Sequence, residues 1–288
     1  MLAIYKRELR SYFNSLTGWL FCAVLLAFVG VYFMVYNLMN GYTYFSYALG
    51  SSLFIFMIIV PVLTMRSFAG ERHAKTDQLL LTAPVSIGKV VLGKFFAMTS
   101  VFAVPCLISC LCPLIIAMNG TAQFAADYAS ILAFFLLGCV YIAVGLFLSS
   151  LTESQIVAAV STFGVLLLLY LWNDLVTFLP TTAKGSLIGL LVLLGIIAYL
   201  TDALSRNYKV TAAVLALGIV AIFGFYLADS AAFSNLLPTV LGRFSLQNAF
   251  GNFCYDHVFD LGGIVLYVSL SALFVFLTAQ VIERRRWN

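Results

Sequence analysis

Long apolar runs separated by short polar segments dominate this chain. Residues 11–65 carry no charged side chain, which leaves room for two helices that cross a membrane. A bilayer-spanning helix needs about 20 apolar residues at a rise of about 1.5 Å each. The pattern therefore predicts eight spans near residues 17–38, 48–65, 95–118, 128–149, 156–176, 185–203, 210–228 and 260–282.

The composition supports the same interpretation. Hydrophobic residues make up 63% of the 288 residues, charged residues make up 9%, and the mean hydropathy is +1.07. A soluble domain carries about 25% charged residues, so water could not accommodate so much apolar surface. The apolar runs are continuous, whereas the strands of a transmembrane barrel alternate apolar and polar positions. We predict one all-α polytopic membrane domain over 1–288.

The distribution of basic residues predicts the orientation of the chain. With eight spans and a cytoplasmic N-terminus, every Lys and Arg except Lys184 and Arg243 falls on the cytoplasmic side, in agreement with the positive-inside rule. Six spans satisfy the rule as well, whereas seven spans would place the basic cluster 284–286 on the outer side of the membrane. Both termini are therefore predicted to be cytoplasmic.

The first 15 residues have an amphipathic pattern. Lys6, Arg7 and Arg10 lie off the apolar face of the predicted helix. That face consists of Leu2, Tyr5, Leu9, Tyr12 and Phe13. The pattern favours a helix lying in the membrane interface, with its cations near anionic headgroups. The alternative is an ordinary basic flank of the first span.

Pro105 and Pro113 both fall in the third predicted span. They should kink that helix or interrupt its hydrogen bonding, because proline has no backbone N–H. A kinked span can line a pathway, but prolines are also simply tolerated in membrane helices. Both interpretations stay open at this point.

The sequence does not predict chemistry inside the membrane. The acidic residues and both histidines fall at span ends or in loops, and no H-E-x-x-H, G-x-S-x-G or phosphate-binding-loop motif occurs. We predict no catalytic, cofactor-binding or metal-binding residue, no nucleic-acid partner, and no buried acid or base for proton-coupled transport. Cys106, Cys110 and Cys112 are interpreted as apolar helix residues, with a soft-metal site as the alternative.

The predicted cytoplasmic segment 66–94, hereafter the docking segment, is rich in charged residues and in leucine. Thr76 can cap a short helix with Asp77 near its N-terminus, and Pro84 ends that helix. Three adjacent leucines, Leu79, Leu80 and Leu81, cannot all face one side of so short a helix. A solvated basic loop would explain the cations but not these leucines. The segment therefore predicts a docking surface for another protein.

Several segments together resemble the ABC-2 class of ABC-transporter permeases. They are "KREL" at 6–9, "FAGERHAKTDQLLLTAPVS" at 68–86, "GKF" at 93–95 and "GLFLSSLTESQIVA" at 145–158. The ending, "FGNFCYDHVFDLGGIVLYV" followed by "ERRRW", resembles the gliding-motility-type permease branch. The resemblance covers about 1–180 and 240–287, and implies an integral protein of a bacterial plasma membrane.

The resemblance implies roles for the docking segment. Residues 76–83 would form a coupling helix seated in a cleft of an ATP-binding subunit, and Glu71 and Arg72 match the acidic–basic pair of the same loop. Glu153 would mark a second, minor contact, and 1–15 would be the elbow helix. The resemblance also implies two ATP-binding subunits, which bind ATP and Mg²⁺, and a second permease copy or a homologous permease.

The resemblance differs from this sequence in the number of spans. Members usually have six, so 185–228 would be an inserted helical hairpin, and 229–259 would be an external re-entrant region before the last span. The alternative to a re-entrant region is that 229–259 form a loop lying on the outer leaflet. The resemblance implies the membrane-spanning subunit of an ATP-driven transporter that exports an unidentified substrate by alternating access. Two other functions stay possible: a non-transporting scaffold or sensor that anchors a cytoplasmic complex, and a secondary transporter, which the missing midplane charge disfavours.

Overall fold

The computed structural model of this chain describes residues 1–76, 86–205, 212, 215–220, 222–223 and 233–287. Every regular element within those ranges is helical, which confirms the all-α prediction. The chain divides into two compact units. The first comprises Met1–Tyr170 and Leu246–Asn288, and the second comprises Leu171–Ser245.

The helices of the described residues follow one another in this order: α1 Leu2–Asn14, α2 Leu16–Phe33, α3 Ser46–Thr64, α4 Ala69–His73, α5 Ile87–Ser109, α6 Cys112–Asn119, α7 Phe124–Leu151, α8 Gln155–Tyr170, α9 Trp172–Thr177, α10 Ala183–Ser205, α11 Leu236–Gly242, α12 Leu246–Cys254 and α13 Leu261–Trp287. A π-helix, Met34–Met39, continues α2. Helices α9 to α11 belong to the second unit and the others to the first.

Five helical stretches in the described part of the chain are long and apolar enough to cross a membrane. They are Leu16–Met39, Ser46–His73, Ile87–Asn119, Phe124–Leu151 and Leu261–Arg285. These coincide with the first four predicted spans and the last one. Shorter apolar helices, Gln155–Tyr170 and Ala183–Gly195, occur at the fifth and sixth positions. Most of the seventh predicted span lies outside the described residues.

Helix α7 is the centre of the first unit, where it packs against α3, α5, α8, α12 and α13. Its Gly138 faces an aromatic cluster: a Cβ there would lie 2.1 Å from Cε1 of Phe102 and 2.8 Å from Cζ of Phe56. These two rings stack with centroids 4.8 Å apart. Seven residues further on, a Cβ at Gly145 would likewise meet the side chain of Thr64 on α3. Small residues on one face of α7 thus permit close packing of membrane helices.

The third span is interrupted as the prolines predicted. Helix α5 ends at Ser109, and α6 begins at Cys112 with Pro113 in its first turn. Within α5, Pro105 has no N–H to give to the carbonyl of Val101, four residues earlier. The Cys22 thiol of α2 donates to that carbonyl at 3.6 Å. A neighbouring helix therefore satisfies the backbone group that the proline leaves free.

Asp127, in the first turn of α7, is completely buried and corrects the prediction that no acid is buried. Its carboxylate accepts a hydrogen bond at 2.8 Å from the backbone N–H of Phe45, immediately before α3. The first N–H groups of a helix have no partner within it. A carboxylate from another helix supplies the missing acceptor, and this explains its burial.

Asp127→Ala should lower the free energy of unfolding by about 1–3 kcal/mol, because it leaves a buried N–H without an acceptor. Asp127→Asn keeps an oxygen at this position and should lose less. The measurement is thermal unfolding in detergent, followed with a dye that reacts with cysteines as they become exposed. Asp174→Ala, at an exposed first-turn position in α9, is the control and should change little. Equal effects of the alanine variants would contradict the capping role.

Helix α12 packs against the ends of α3 and α7 that are remote from α4. Ser46 at the start of α3 donates to the Cys254 carbonyl at 2.7 Å, and Ser130 of α7 donates to the Phe253 carbonyl at 3.0 Å. Phe250 and Phe253 are buried, so α12 is packed within the first unit. Helix α12 and segment 66–76 therefore lie at opposite ends of α3.

Candidate coupling site

Lys94 is the centre of a charged cluster that joins three segments of the chain. It lies on α5, about two turns after the helix begins at Ile87, and only 1% of its surface is exposed. The sequence had placed this lysine in a cytoplasmic loop and predicted no buried base. The structure instead places Lys94 within a helix and buried, because α5 begins earlier than the predicted span. The cytoplasmic side of the membrane stays a prediction for this residue.

Two carboxylates bind the Lys94 ammonium. Its Nζ lies 2.8 Å from Oε1 of Glu71, in the docking segment, and 3.2 Å from Oε1 of Glu8, on α1. The ammonium also donates to the Ser67 carbonyl at 3.3 Å and lies 5.2 Å from the centroid of the Phe68 ring. A buried ammonium requires such partners, because removal from water without them costs several kcal/mol.

Arg7 balances the charge of this cluster. Its guanidinium lies 2.8 Å from Glu8 and 3.3 Å from Glu71, so two cations share two carboxylates. The hydrogen bond to Glu8 raises the pKa of Arg7 above its ordinary value, so the residue stays cationic. Arg7, Glu8, Glu71 and Lys94, hereafter the charge quartet, thus tie α1 and α5 to the start of the docking segment.

Helix α4 is fixed by a second element, α7. The Ser149 hydroxyl of α7 accepts hydrogen bonds from the backbone N–H groups of Phe68 at 3.2 Å and Ala69 at 3.1 Å. It donates in turn to the Met65 carbonyl at 3.4 Å. Serine is a preferred N-cap residue because its hydroxyl satisfies free amides of the first turn. Here the cap comes from a helix distant in sequence, and it attaches α4 to α7 at the centre of the first unit.

Arg72 and Glu153 form the third attachment. The guanidinium of Arg72 donates to the Glu153 carboxylate at 2.5 Å, joining α4 to the turn between α7 and α8. The side chain of Arg72 is mostly buried, whereas that of Glu153 is 75% exposed. The structure thus brings together three predicted docking residues, Glu71, Arg72 and Glu153, in one region.

Helix α4 ends at a sharp change of direction. Lys75 has the left-handed backbone conformation, with φ of 55°, and the Thr76 N–H and hydroxyl both donate to the Glu71 carbonyl, at 2.9 and 3.2 Å. The hydroxyl that was predicted to cap a following helix closes the preceding one. The other predicted docking residues, Asp77, Leu79, Leu80, Leu81 and Pro84, lie outside the described residues.

Helix α1 packs against α2 and α5 along one face. Tyr12 is buried and donates to the Leu63 carbonyl at 3.4 Å, and burial raises the pKa of its hydroxyl. Lys6 and Arg10 are exposed, as is most of Arg7. The apolar face predicted to enter the membrane interface is therefore partly used for packing within the protein, and one of the three predicted interfacial cations belongs to the charge quartet.

The sequence interpretation missed Glu8, Lys94 and Ser149 as residues of this site. Glu8 and Lys94 occur in "KREL" and "GKF", which were used only as marks of resemblance. A lysine followed directly by a long apolar run could have predicted a buried ion pair, because a cation inside a membrane helix needs a partner. Nothing local marks Ser149, whose partners lie about 80 residues away.

The described residues contain no group of three or more His, Cys, Asp or Glu side chains that could hold a metal ion. Cys106, Cys110 and Cys112, for which a soft-metal site was the alternative, form no such group. The described contacts of the site are ion pairs, caps and helix packing, which position segment 66–76.

The pair Arg72–Glu153 should contribute little to stability because its carboxylate is mostly exposed. A double-mutant cycle of Arg72→Gln and Glu153→Gln should give a coupling free energy below about 1 kcal/mol in thermal unfolding. The same cycle with Lys94→Met and Glu71→Gln should give a larger value, because that pair is buried. Equal coupling in the two cycles would contradict the assigned difference in burial.

Five candidate spans and a charged loop anchored on their ends define a multi-pass integral membrane protein. The family model for the ABC-2 family transporter proteins matches residues 2–187. This chain belongs to that family and is a membrane permease component of an ABC transporter. A search of the curated proteins found no match. The matched range includes the charge quartet, Ser149 and the Arg72–Glu153 pair.

Proposed function

We propose that this chain transmits movement from an ATP-binding subunit, docked on residues 71–84, to the membrane helices of a transporter. The chain would export an unidentified substrate by alternating access, while ATP and Mg²⁺ are bound in the partner. Two ATP-binding subunits and two permease chains, identical or homologous, would form the complex. The family membership and the leucine-rich docking segment support this proposal.

One observation carries the proposal: the segment that leads into residues 77–85 is attached to three helices and to the turn before a fourth. The charge quartet ties it to α1 and α5, the Ser149 cap ties it to α7, and the Arg72–Glu153 pair ties it to the turn before α8. Coupling between distant sites is carried by packed side chains, networks of ion pairs and hydrogen bonds, and rigid helices. A partner that displaces residues 77–85 would therefore move these helices together.

The remaining parts of the proposal concern topology. Eight spans would place both termini in the cytoplasm, with α1 as the interfacial elbow helix and 185–228 as an added hairpin. Residues 229–259 would be the external re-entrant region, in keeping with the short helices α11 and α12 that precede the last span. The gliding-motility-type branch is proposed from the resemblance of the C-terminal segment alone.

The test is co-purification with the ATP-binding subunit encoded by a neighbouring reading frame, followed by ATPase measurement in lipid nanodiscs. Leu80→Asp should reduce association at least about tenfold, because it places a charge in an apolar contact. Phe244→Asp is the matched control: Phe244 is 61% exposed and lies on the proposed external side. This control should bind the ATP-binding subunit like the unmodified chain.

The three results of this experiment have distinct meanings. Loss of association with Leu80→Asp alone supports docking on residues 71–84. Undiminished association and ATPase stimulation in both variants would refute the docking surface. Association that never changes ATP hydrolysis, with any solute or lipid added, would favour the scaffold or sensor function over transport.

A further inference from the structure

A cavity of about 820 Å³ lies between α1, the start of α2 and segment 66–76. Its lining includes three cations, Arg7, Arg66 and Lys94, but only two carboxylates, Glu8 and Glu71. Four of these five residues neutralise one another within the charge quartet. Arg66 is left over, so the cavity wall carries one net positive charge among its described residues.

Arg66 is available to a ligand. It is exposed, and it takes part in no ion pair among the residues that the structure describes. Ser11 of α1, also exposed, and Gln155 of α8 line the same cavity and can each donate a hydrogen bond. A guanidinium beside hydroxyl and amide donors is the combination that binds a phosphate group through charge-assisted hydrogen bonds.

The cavity adjoins a surface suited to acyl chains. Ser15 and Thr17 line it, and between them Leu16 is 79% exposed. Trp19, one turn further along α2, is 60% exposed and donates from its indole N–H to the Phe13 carbonyl at 2.8 Å. Exposed tryptophan at the end of a span is typical of the depth of lipid headgroups. The polar cavity and the apolar surface are therefore neighbours at one level of the membrane.

We infer that this cavity binds the phosphodiester headgroup of an anionic phospholipid, with Arg66 as its counterion and the acyl chains lying along Leu16 and Trp19. A singly charged headgroup matches the one unbalanced cation. A bound lipid would fill the space between α1 and the docking segment. The inference is independent of the proposed ATP-binding partner, because the isolated chain suffices to test it.

The experiment is native mass spectrometry of the full chain in detergent, titrated with phosphatidylglycerol or phosphatidylcholine. The unmodified chain should retain one phosphatidylglycerol in preference to phosphatidylcholine. Arg66→Gln should weaken that binding at least about tenfold, because it removes a charge-assisted hydrogen bond. Arg10→Gln is the matched control: it removes the same charge from an exposed position of α1 that does not line the cavity, and should bind normally.

A second variant guards against a folding defect. Ser11→Phe reduces the cavity from its exposed rim and should also lower phosphatidylglycerol binding, with the α-helical circular dichroism unchanged. Equal binding by the unmodified chain and by Arg66→Gln would overturn the inference. Displacement of the lipid by millimolar inorganic phosphate would show a phosphate site without lipid specificity. Loss of ATP-binding-subunit association in Arg66→Gln, with no lipid bound to the unmodified chain, would assign the cavity to the protein partner instead.

Discussion

Lys94→Met should destabilise the protein by about 3 kcal/mol, because removing one partner of a buried ion pair leaves charge uncompensated. Methionine fills a similar volume, so the loss would come from Glu8 and Glu71, which would then share Arg7 alone. The measurement is thermal unfolding in detergent with a cysteine-reactive dye. Four of the six cysteines are buried, so their exposure reports unfolding of the helix packing.

The control for this prediction lies on the same helix. Lys89→Met removes an exposed lysine from the first turn of α5 and should leave the unfolding temperature almost unchanged. Adding Glu71→Gln to Lys94→Met should recover part of the loss, because it removes one of the two remaining carboxylates. Equal stability of the Lys94 and Lys89 variants would show that the charge quartet does not hold α1, α5 and the docking segment together.

Gly138→Ala should also be strongly destabilising, by about 1–3 kcal/mol, because the added methyl group overpacks the centre of the unit. The Cβ would meet the ring of Phe102, which is fully buried and stacks on Phe56 and Phe135. Helix α7 would have to move away from α5, which would weaken packing throughout the first unit.

Gly164→Ala is the matched control for that substitution. Gly164 lies on α8 in the same unit, and a Cβ there would meet nothing within 4 Å. Alanine in an unobstructed helix position should stabilise by about 0.5–1 kcal/mol, because glycine loses more backbone entropy on folding. The two variants should therefore shift the unfolding temperature in opposite directions. Shifts of the same sign would contradict the close approach of α7 and α5.

These contacts have a consequence for the proposed mechanism. The docking segment begins with residues 66–76, and a buried lysine and a serine cap hold these residues in place. Variants that weaken the attachment of residues 66–76 without changing residues 77–85, such as Lys94→Met, should still bind the ATP-binding subunit if they fold. They should uncouple binding from movement of the spans, and ATPase measurements in nanodiscs would separate the two properties.

The length and continuity of apolar runs predicted much of the fold. A run of about 20 apolar residues has few alternatives to a spanning helix, because backbone groups in lipid must bond within their own segment. Five of the predicted spans coincide with helices long and apolar enough to cross a membrane for this reason, and Pro113 correctly marked an interruption. Lys94 was misplaced because hydropathy locates the apolar centre of a helix better than its first turns, where charge is still tolerated.

The site was predicted only in part. Glu71, Arg72 and Glu153 were selected from the charged loop and the family resemblance, and the structure brings them into one region. Their partners Glu8, Lys94 and Ser149 were missed, because they lie on other helices and have no shared sequence spacing. Asp127 was missed as a buried group for the same reason: its partner, the N–H of Phe45, is 82 residues away.

By itself, the sequence determined the membrane class of this protein and the approximate positions of most spans, since both follow from local hydrophobicity. The tertiary structure alone decided which charges are paired, which helix each cap stabilises, and where α7 can approach its neighbours. Those features depend on atoms brought together from distant segments, and the energy of an ion pair or a close contact depends on distance and burial.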